Sequence, residues 1–176
     1  MSDTTSRKCS LAELNAFSAG DFVARFGGVF EHSPWIAETA AQLRPFESVA
    51  DLHEKMTMLV AQSSPEAQLA LIEAHPDLAG RLAKMGQLTA ESTNEQAAAG
   101  LAQADVATIE KISTLNAAYR ERFGFPFIIC ARLNNVTSIV EAMTTRLPND
   151  RSTEIDAALT EIYKIAQLRL GDIVEA

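Results

Sequence analysis

The sequence lacks the features that mark secreted and membrane-spanning proteins. Its two cysteines, Cys9 and Cys130, are too few for a disulfide framework, and the apolar run around Cys130 favours a buried thiol. No stretch approaches the roughly 18 consecutive apolar residues of a membrane span. The first ten residues, MSDTTSRKCS, also lack the apolar core of a signal peptide. We therefore expect a cytoplasmic protein.

Positive charge is scarce as well. The chain carries 15 Lys and Arg against 23 Asp and Glu, a net charge of −8 at pH 7. This excess of negative charge argues against a nucleic acid or an anionic membrane as a partner. An anionic small substrate would need a local basic pocket to overcome it.

Motifs of common cofactor and metal sites are also missing. The sequence has no phosphate loop, no dinucleotide-binding fingerprint and no nucleophile elbow. His32, His53 and His75 do not have the spacing of metal ligands, and soft ligands are few. The sequence therefore predicts no metal site.

Helical periodicity is what the sequence does contain. Apolar residues recur at intervals of three and four along most of the chain, and no pair of strands is evident. At 176 residues and 47% hydrophobic content, the chain can bury one core. We expect an all-α fold, a single compact domain of about eight or nine helices over residues 1–176 with a loose terminus at 1–9. The expected helix starts are Ser10, Asp21, Ser33, Ser48, Ser64, Ser92, Thr137 or Ser138, and Ser152 or Thr153.

Residues 97–124 and 125–131 are predicted to have different backbone conformations, helical in the first and extended in the second. Residues 97–124 have strong helical periodicity, with Gly124 suited to the position just after the helix. Residues 125–131 alternate in a way that would suit a short strand, but no second strand is available to pair with it. We therefore expect an extended, buried segment there.

The stretch 67–96 is where we expect chemistry. Its first helix should end near His75, because Pro76 disfavours the α conformation in the residue before it. Helix carbonyls at that end favour a positive charge on the imidazole. After a glycine-bearing loop, Ser92 and Glu95 have the spacing of a capping box at a helix start. A helix-end histidine and a capping box also have ordinary structural roles, so the residues alone predict a helical domain in which an acid/base pocket is one alternative.

Arg169 continues the apolar face of the last helix. That face is formed by Ile155, Leu159, Ile162 and Ala166. The stem of Arg169 can lie along the core edge with its head in water. Alternatively, its planar guanidinium can point at a carboxylate in a pocket.

Five segments together resemble the family of 2-oxo-4-hydroxy-4-carboxy-5-ureidoimidazoline (OHCU) decarboxylase, which completes the conversion of urate to (S)-allantoin. They are FGGVFEHSPWIAETA, AHPDLAG, LTAESTNEQ, LNAAYRERFGFPFIICAR and KIAQLRL. The match covers most of the chain, and the order and spacing of AHPDLAG, SxxEQ and FGFPFI are specific. The resemblance implies an all-helical, cofactor-independent carboxy-lyase that binds a small ureidoimidazoline substrate and forms a homodimer.

The resemblance also assigns roles to residues. The family's catalytic histidine falls on His75, its acidic partner on Glu95, and the arginine of its last helix on Arg169, with Arg132 as the alternative. The substrate-binding residues that it implies are Pro76, Ser92, Thr93, Asn94, Glu95, Gln96, Phe127, Ile128, Ile129, Cys130 and Ala131.

This substrate class explains why no cofactor is expected. Loss of carbon dioxide leaves electron density that the adjacent C=N bond of the substrate can accept. We hypothesise that His75 is the main proton carrier and works with Glu95, while Ser92 and Gln96 hydrogen-bond the ureide. Arg169 and backbone N–H groups of residues 127–131 would hold the anionic or ureido ends. The alternatives are a non-catalytic helical module that binds a ligand or partner, and a ureide hydrolase.

Overall fold

The computed structural model describes residues 7–79 and 89–175, and within these ranges it contains nine α-helices and no β-strand. The helices are α1 (Leu11–Ala16), α2 (Ala19–Phe26), α3 (Trp35–Ala40), α4 (Val49–Ala61), α5 (Pro65–Glu73), α6 (Ala90–Ala98), α7 (Val106–Phe123), α8 (Val136–Arg146) and α9 (Arg151–Ile173). Short 3₁₀ turns occupy Ala41–Leu43, Leu101–Gln103 and Ala131–Leu133. The all-α prediction is confirmed. None of the helices in these ranges is long and apolar enough to cross a membrane.

The chain divides into two compact units. The first comprises residues 1–71 and 163–176, and the second comprises residues 72–162. In the first unit, α3 packs against α2 and α4. Its core contains Phe22 and Phe26, whose ring centroids lie 4.6 Å apart, together with Leu14 and Met56. A single domain over residues 1–176 stays a prediction.

The N-terminal segment differs from the expected loose terminus at Cys9. Cys9 is buried. Its N–H donates to the Ile173 carbonyl at 2.9 Å, and its carbonyl accepts from the Glu175 N–H at 2.9 Å. The expectation is therefore wrong at Cys9, because backbone pairing with the end of the chain holds it. Residues 1–6 lie outside the described residues.

The second unit is built around the aromatic residues of α7 and the segment after it. Tyr119 packs edge-on against Phe127, with ring centroids 5.3 Å apart, and lies 4.5 Å from Phe123. Its hydroxyl donates to the fully buried carboxylate of Glu154 on α9. Burial and this hydrogen bond raise the pKa of Tyr119 above its ordinary value. Gly124, in the left-handed conformation at φ 82°, ends α7 as predicted.

Four helix starts were predicted two or three residues too late. Ser10, Ser48 and Ser64 do accept the expected backbone N–H groups. At the other four sites, the predicted residue is the third of its helix, and its backbone N–H donates to the true cap. A polar side chain at that third position can bond back toward the cap, so both ends of the motif resemble caps in sequence. The observed caps are Ser18 instead of Asp21, Thr89 instead of Ser92, Asn135 instead of Thr137 or Ser138, and Asp150 instead of Ser152 or Thr153.

Two further boundaries differ from expectation. The cap position of α3 is Pro34 instead of the predicted Ser33, and it makes no side-chain capping bond. Residues 97–124 do not form one helix, because Gly100 adopts φ 78° and Asp105 caps a new helix. Only glycine enters this left-handed region readily, so Gly100 separates α6 from α7.

The position of the α6 cap is testable through stability. Thr89→Ala removes the hydroxyl that accepts Ser92 N–H at 3.2 Å, and should lower the free energy of unfolding by about 1 kcal/mol. Thr89→Ser keeps a capping oxygen and should stay close to wild type. Urea denaturation measures both variants. A Thr89→Ala protein as stable as wild type would show that α6 does not begin at this residue.

Candidate active site

His75 lies just beyond the end of α5, where the sequence placed it. The helix ends at Glu73, and the buried His75 donates its backbone N–H to Ile72 O at 3.2 Å. The prediction that Pro76 ends the helix near His75 is confirmed. The glycine-bearing loop predicted after it falls mainly on residues 80–88, which lie outside the described residues.

Residues 77–79 bring the chain after His75 against two other helices. Ala79 N–H donates to Gln96 Oε1 of α6 at 3.0 Å. Asn116 Nδ2 of α7 donates to Leu78 O at 2.9 Å. The Leu78 carbonyl and the Ala79 N–H belong to the same peptide group. Two side-chain amides from two helices therefore hold both polar atoms of one peptide bond.

The backbone at this peptide is in an uncommon conformation. Ala79 has φ 48°, in the left-handed region that a residue with a Cβ enters at a cost of roughly 1–2 kcal/mol. A non-glycine residue stays there only when its surroundings hold it. The hydrogen bonds from Gln96 and Asn116 act at this point. They fix the turn that follows His75.

A polar face of α6 is buried. Ser92, Glu95 and Gln96 are all buried, and their spacing of three and four residues puts them on one side of the helix. Glu95 is only 9% exposed. The capping-box prediction is wrong, because Thr89 caps α6 and both Ser92 and Glu95 lie inside it. This face lies beside the His75 turn, to which Gln96 is bonded, and its hydroxyl, carboxylate and amide are groups that can bind a polar ligand.

The other two members of the predicted serine-to-glutamine run point elsewhere. Thr93 and Asn94 are exposed. Thr93 bonds its hydroxyl to the Thr89 carbonyl of its own helix at 2.9 Å. Their assignment as substrate-binding residues stays a prediction.

The second predicted binding segment is extended and buried, as expected. Phe127, Ile128, Ile129, Cys130 and Ala131 are all buried. The 3₁₀ turn that begins at Ala131 packs against α6, so this segment and the polar face belong to the same part of the second unit.

Charged side chains hold the backbone of this segment. Arg146 Nη1 donates to Ile128 O at 2.8 Å, and its guanidinium lies 4.4 Å from the centre of the Phe127 ring. Cys130 N–H donates to Glu161 Oε2 at 2.8 Å. Because the Cys130 N–H already donates to Glu161, the hypothesis that backbone N–H groups of this segment hold the substrate does not extend to Cys130.

Sequence reasoning missed Arg146, Glu154 and Asn116. Arg146 also donates to the Glu154 carboxylate at 2.9 Å, which joins α8 to α9 beneath the binding segment. Glu154 lies four residues before the buried Ala158, so extending the buried stripe of α9 backward would have found it. Asn116 likewise lies four residues after the buried Ile112 and three before Tyr119, so the buried stripe of α7 would have found it.

Arg169 lies in the first unit and is buried to 4% exposure. Its Nη1 donates to Glu31 Oε2 at 2.9 Å and to Gly28 O at 3.2 Å. The alternative of a head group in water is therefore wrong. The guanidinium points at a carboxylate of the protein itself, that of Glu31, and its role toward a substrate stays a prediction. Arg132, the other candidate, is exposed.

The arrangement in the second unit suits acid/base chemistry. An imidazole and a carboxylate, both buried, are carried by two segments that the Gln96 hydrogen bond joins. Imidazole and carboxylate are the side chains used most often for general acid/base catalysis. Among the described residues, no group of three or more His, Cys, Asp or Glu could hold a metal ion.

Three known proteins that this chain resembles are named for steps of urate degradation or allantoin synthesis. The chain is 41% identical over 165 residues to the 2-oxo-4-hydroxy-4-carboxy-5-ureidoimidazoline decarboxylase of Amia calva, covering 94% of both proteins. It is also 41% identical to the uric acid degradation bifunctional protein of Bacillus subtilis, of which it spans 33%. A crystal structure of (S)-allantoin synthase superposes with a TM-score of 0.78 at 27% identity, over 95% of this chain and 54% of that one.

The family assignment rests on the whole chain rather than on one motif. The family described as OHCU decarboxylase matches residues 15–171, which run from the end of α1 through most of α9. Both predicted binding segments and His75 fall within the match. This chain belongs to the OHCU decarboxylase family.

Proposed function

We propose that this protein decarboxylates 2-oxo-4-hydroxy-4-carboxy-5-ureidoimidazoline to (S)-allantoin in urate degradation, without a cofactor. The observation that carries the proposal is the buried polar face of α6, tied by Gln96 to the turn that follows His75. Membership of the OHCU decarboxylase family identifies the substrate class. We also infer, from the family resemblance and the sequence, a cytoplasmic homodimer.

The substrate supplies its own electron sink. Its carboxylate and hydroxyl share one ring carbon, beside a C=N bond. When the bond to the carboxylate breaks, the electron pair is delocalised into that C=N system and carbon dioxide leaves. The nitrogen of the former C=N bond takes up a proton. The hydroxyl must then lose its proton and become a carbonyl, while the neighbouring ring carbon, that of the former C=N bond, gains a proton from a single face. The protein therefore has to orient the carboxylate and move protons, which is work for side chains.

We assign the proton transfers to His75 and Glu95. His75 is the main proton carrier, and Glu95 is its acidic partner on the buried face of α6. Ser92 and Gln96 hydrogen-bond the ureido group. The Gln96 oxygen already accepts from the Ala79 N–H, so we assign the hydrogen bond to the ureido group to the Gln96 NH₂.

Arg169 is the proposed anchor for the anionic end of the substrate. Its pairing with Glu31 supports the role because a buried carboxylate fixes the guanidinium plane before a ligand arrives. The pair also means that removal of the arginine has two effects. It takes away the anchor and leaves a buried charge on Glu31.

The proposed role of His75 predicts both a rate and a stereochemical effect. His75→Ala should lower kcat by about 10²–10⁴-fold, the usual contribution of general acid/base catalysis. The substrate decarboxylates slowly by itself to racemic allantoin, so the variant should also give nearly racemic product. Circular dichroism of allantoin formed from freshly generated substrate measures this, and far-UV spectra check that the variant is folded.

His53→Gln is the matched control, because His53 lies in the first unit and bonds only to the Tyr163 carbonyl among the described contacts. It should retain enriched (S)-allantoin. Wild-type turnover by folded His75→Ala would remove the mechanism. Racemic product from the wild-type protein would favour a non-catalytic binding module, and ammonia released with the product would favour a ureide hydrolase.

The proposed role of Arg169 predicts different outcomes for two substitutions. Arg169→Lys keeps a cation beside Glu31 but loses the planar fork, so the protein should fold and its KM should rise about tenfold. Arg169→Ala leaves the Glu31 charge buried and should lower the free energy of unfolding by about 3–5 kcal/mol. Steady-state kinetics and urea denaturation measure these effects. An unchanged KM in Arg169→Lys would assign Arg169 to structure alone.

A further inference from the structure

One buried side chain that the proposed chemistry does not use lies beside the His75 turn. Asn116 of α7 is 7% exposed, and its Nδ2 donates to the Leu78 carbonyl at 2.9 Å. Leu78 follows His75 by three residues. The contact is therefore to the backbone of the turn, and the amide acts at a distance from the imidazole.

The orientation of the Asn116 amide is fixed by its contact. Rotation by 180° would place Oδ1 against the Leu78 carbonyl oxygen, which would oppose two acceptors. In the observed orientation, Oδ1 has no hydrogen-bond partner among residues 7–79 and 89–175. A buried acceptor in this state costs free energy, so a side chain that only filled space would be better apolar. The hydrogen bond from Asn116 Nδ2 to the Leu78 carbonyl is therefore the reason for an amide at this position.

Gln96 holds the opposite end of the same peptide group. Its Oε1 accepts from Ala79 N–H at 3.0 Å, while Asn116 Nδ2 donates to Leu78 O. If the Asn116 donor were lost, the strained peptide at Ala79 would be held from one side only. The peptide could then rotate, and the chain between it and His75 would move with it.

We propose that Asn116 is a positioning residue that sets the place of the His75 imidazole by holding the Leu78–Ala79 peptide. The proposal rests on the proposed function of His75. Displacement of a catalytic group by about 1 Å can lower a rate by about 10²-fold. Asn116 therefore affects the chemical step more than substrate binding.

A second contact from α7 provides a control. Arg120, one helical turn after Asn116, donates through Nε to both carboxylate oxygens of Asp77, at 2.9 and 3.1 Å. Its side chain is 45% exposed, and ion pairs in such positions contribute little. Arg120→Gln thus disturbs the same turn from the same helix without touching the buried peptide.

The test compares Asn116→Leu, Asn116→Asp and Arg120→Gln with wild type. Both Asn116 variants keep the branching of the side chain at Cγ but lose the neutral N–H donor. We expect each to lower kcat by about 10- to 100-fold with KM changed by less than about twofold, and to reduce the excess of (S)-allantoin. Arg120→Gln should keep wild-type kcat. Rates are expressed per folded molecule, with the folded fraction taken from circular dichroism melting.

The outcomes separate this proposal from the proposed function. Wild-type kcat in the folded fraction of either Asn116 variant would overturn the positioning role, and so would an equal loss in Arg120→Gln. A change in KM alone would also overturn it, because it would make Asn116 a binding residue. Failure of the proposed function would appear in the wild-type protein itself, as racemic product.

Discussion

A single peptide group, between Leu78 and Ala79, carries the geometry on which the candidate site depends. Its carbonyl accepts from Asn116 on α7, and its N–H donates to Gln96 on α6. A peptide in a turn is ordinarily satisfied by water or by neighbouring backbone. Here it is bound by side chains of two helices, so the turn after His75 keeps a fixed relation to the polar face of α6.

This constraint explains how a helical protein can hold acid/base groups in its interior. Burial of Ser92, Glu95 and Gln96 costs free energy, which hydrogen bonds such as that from Ala79 N–H to Gln96 reduce. In folded proteins, apolar packing is the main stabilising contribution. The aromatic cluster around Tyr119 supplies such packing within the same unit. The buried Glu154 and Arg146 then attach the extended segment at Ile128 to α8 and α9. Stability and site geometry are thus built from the same contacts.

Rules about single residues correctly predicted the helix ends that a single residue determines. Proline placed the end of α5, and glycine placed the end of α7 at Gly124, because each acts on its own backbone. The capping rule erred by three residues at α6, since the cap and the third residue both carry hydroxyls, Thr89 and Ser92. The family resemblance, rather than periodicity, supplied the assignment of His75 and Glu95 to one site.

Partners far apart in sequence could not be predicted in this way. Asn116 meets Leu78 across 38 positions, and Tyr119 meets Glu154 across 35. The position of Arg169 on its stripe left two alternatives, a head group in water or a carboxylate partner, and could not identify Glu31 as the partner. Helical periodicity identifies which face of a helix is buried, and it contains no information on which distant residue will lie against that face.

The central claim is that His75 and Glu95 act as one proton-transfer unit. A double-mutant cycle on kcat with His75→Ala, Glu95→Gln and the double variant tests it most directly. If the two groups work together, the double variant should be about as slow as His75→Ala alone, since loss of either partner already disables the unit. If the two losses multiply in full, the groups act independently, and the shared site proposed for them is contradicted.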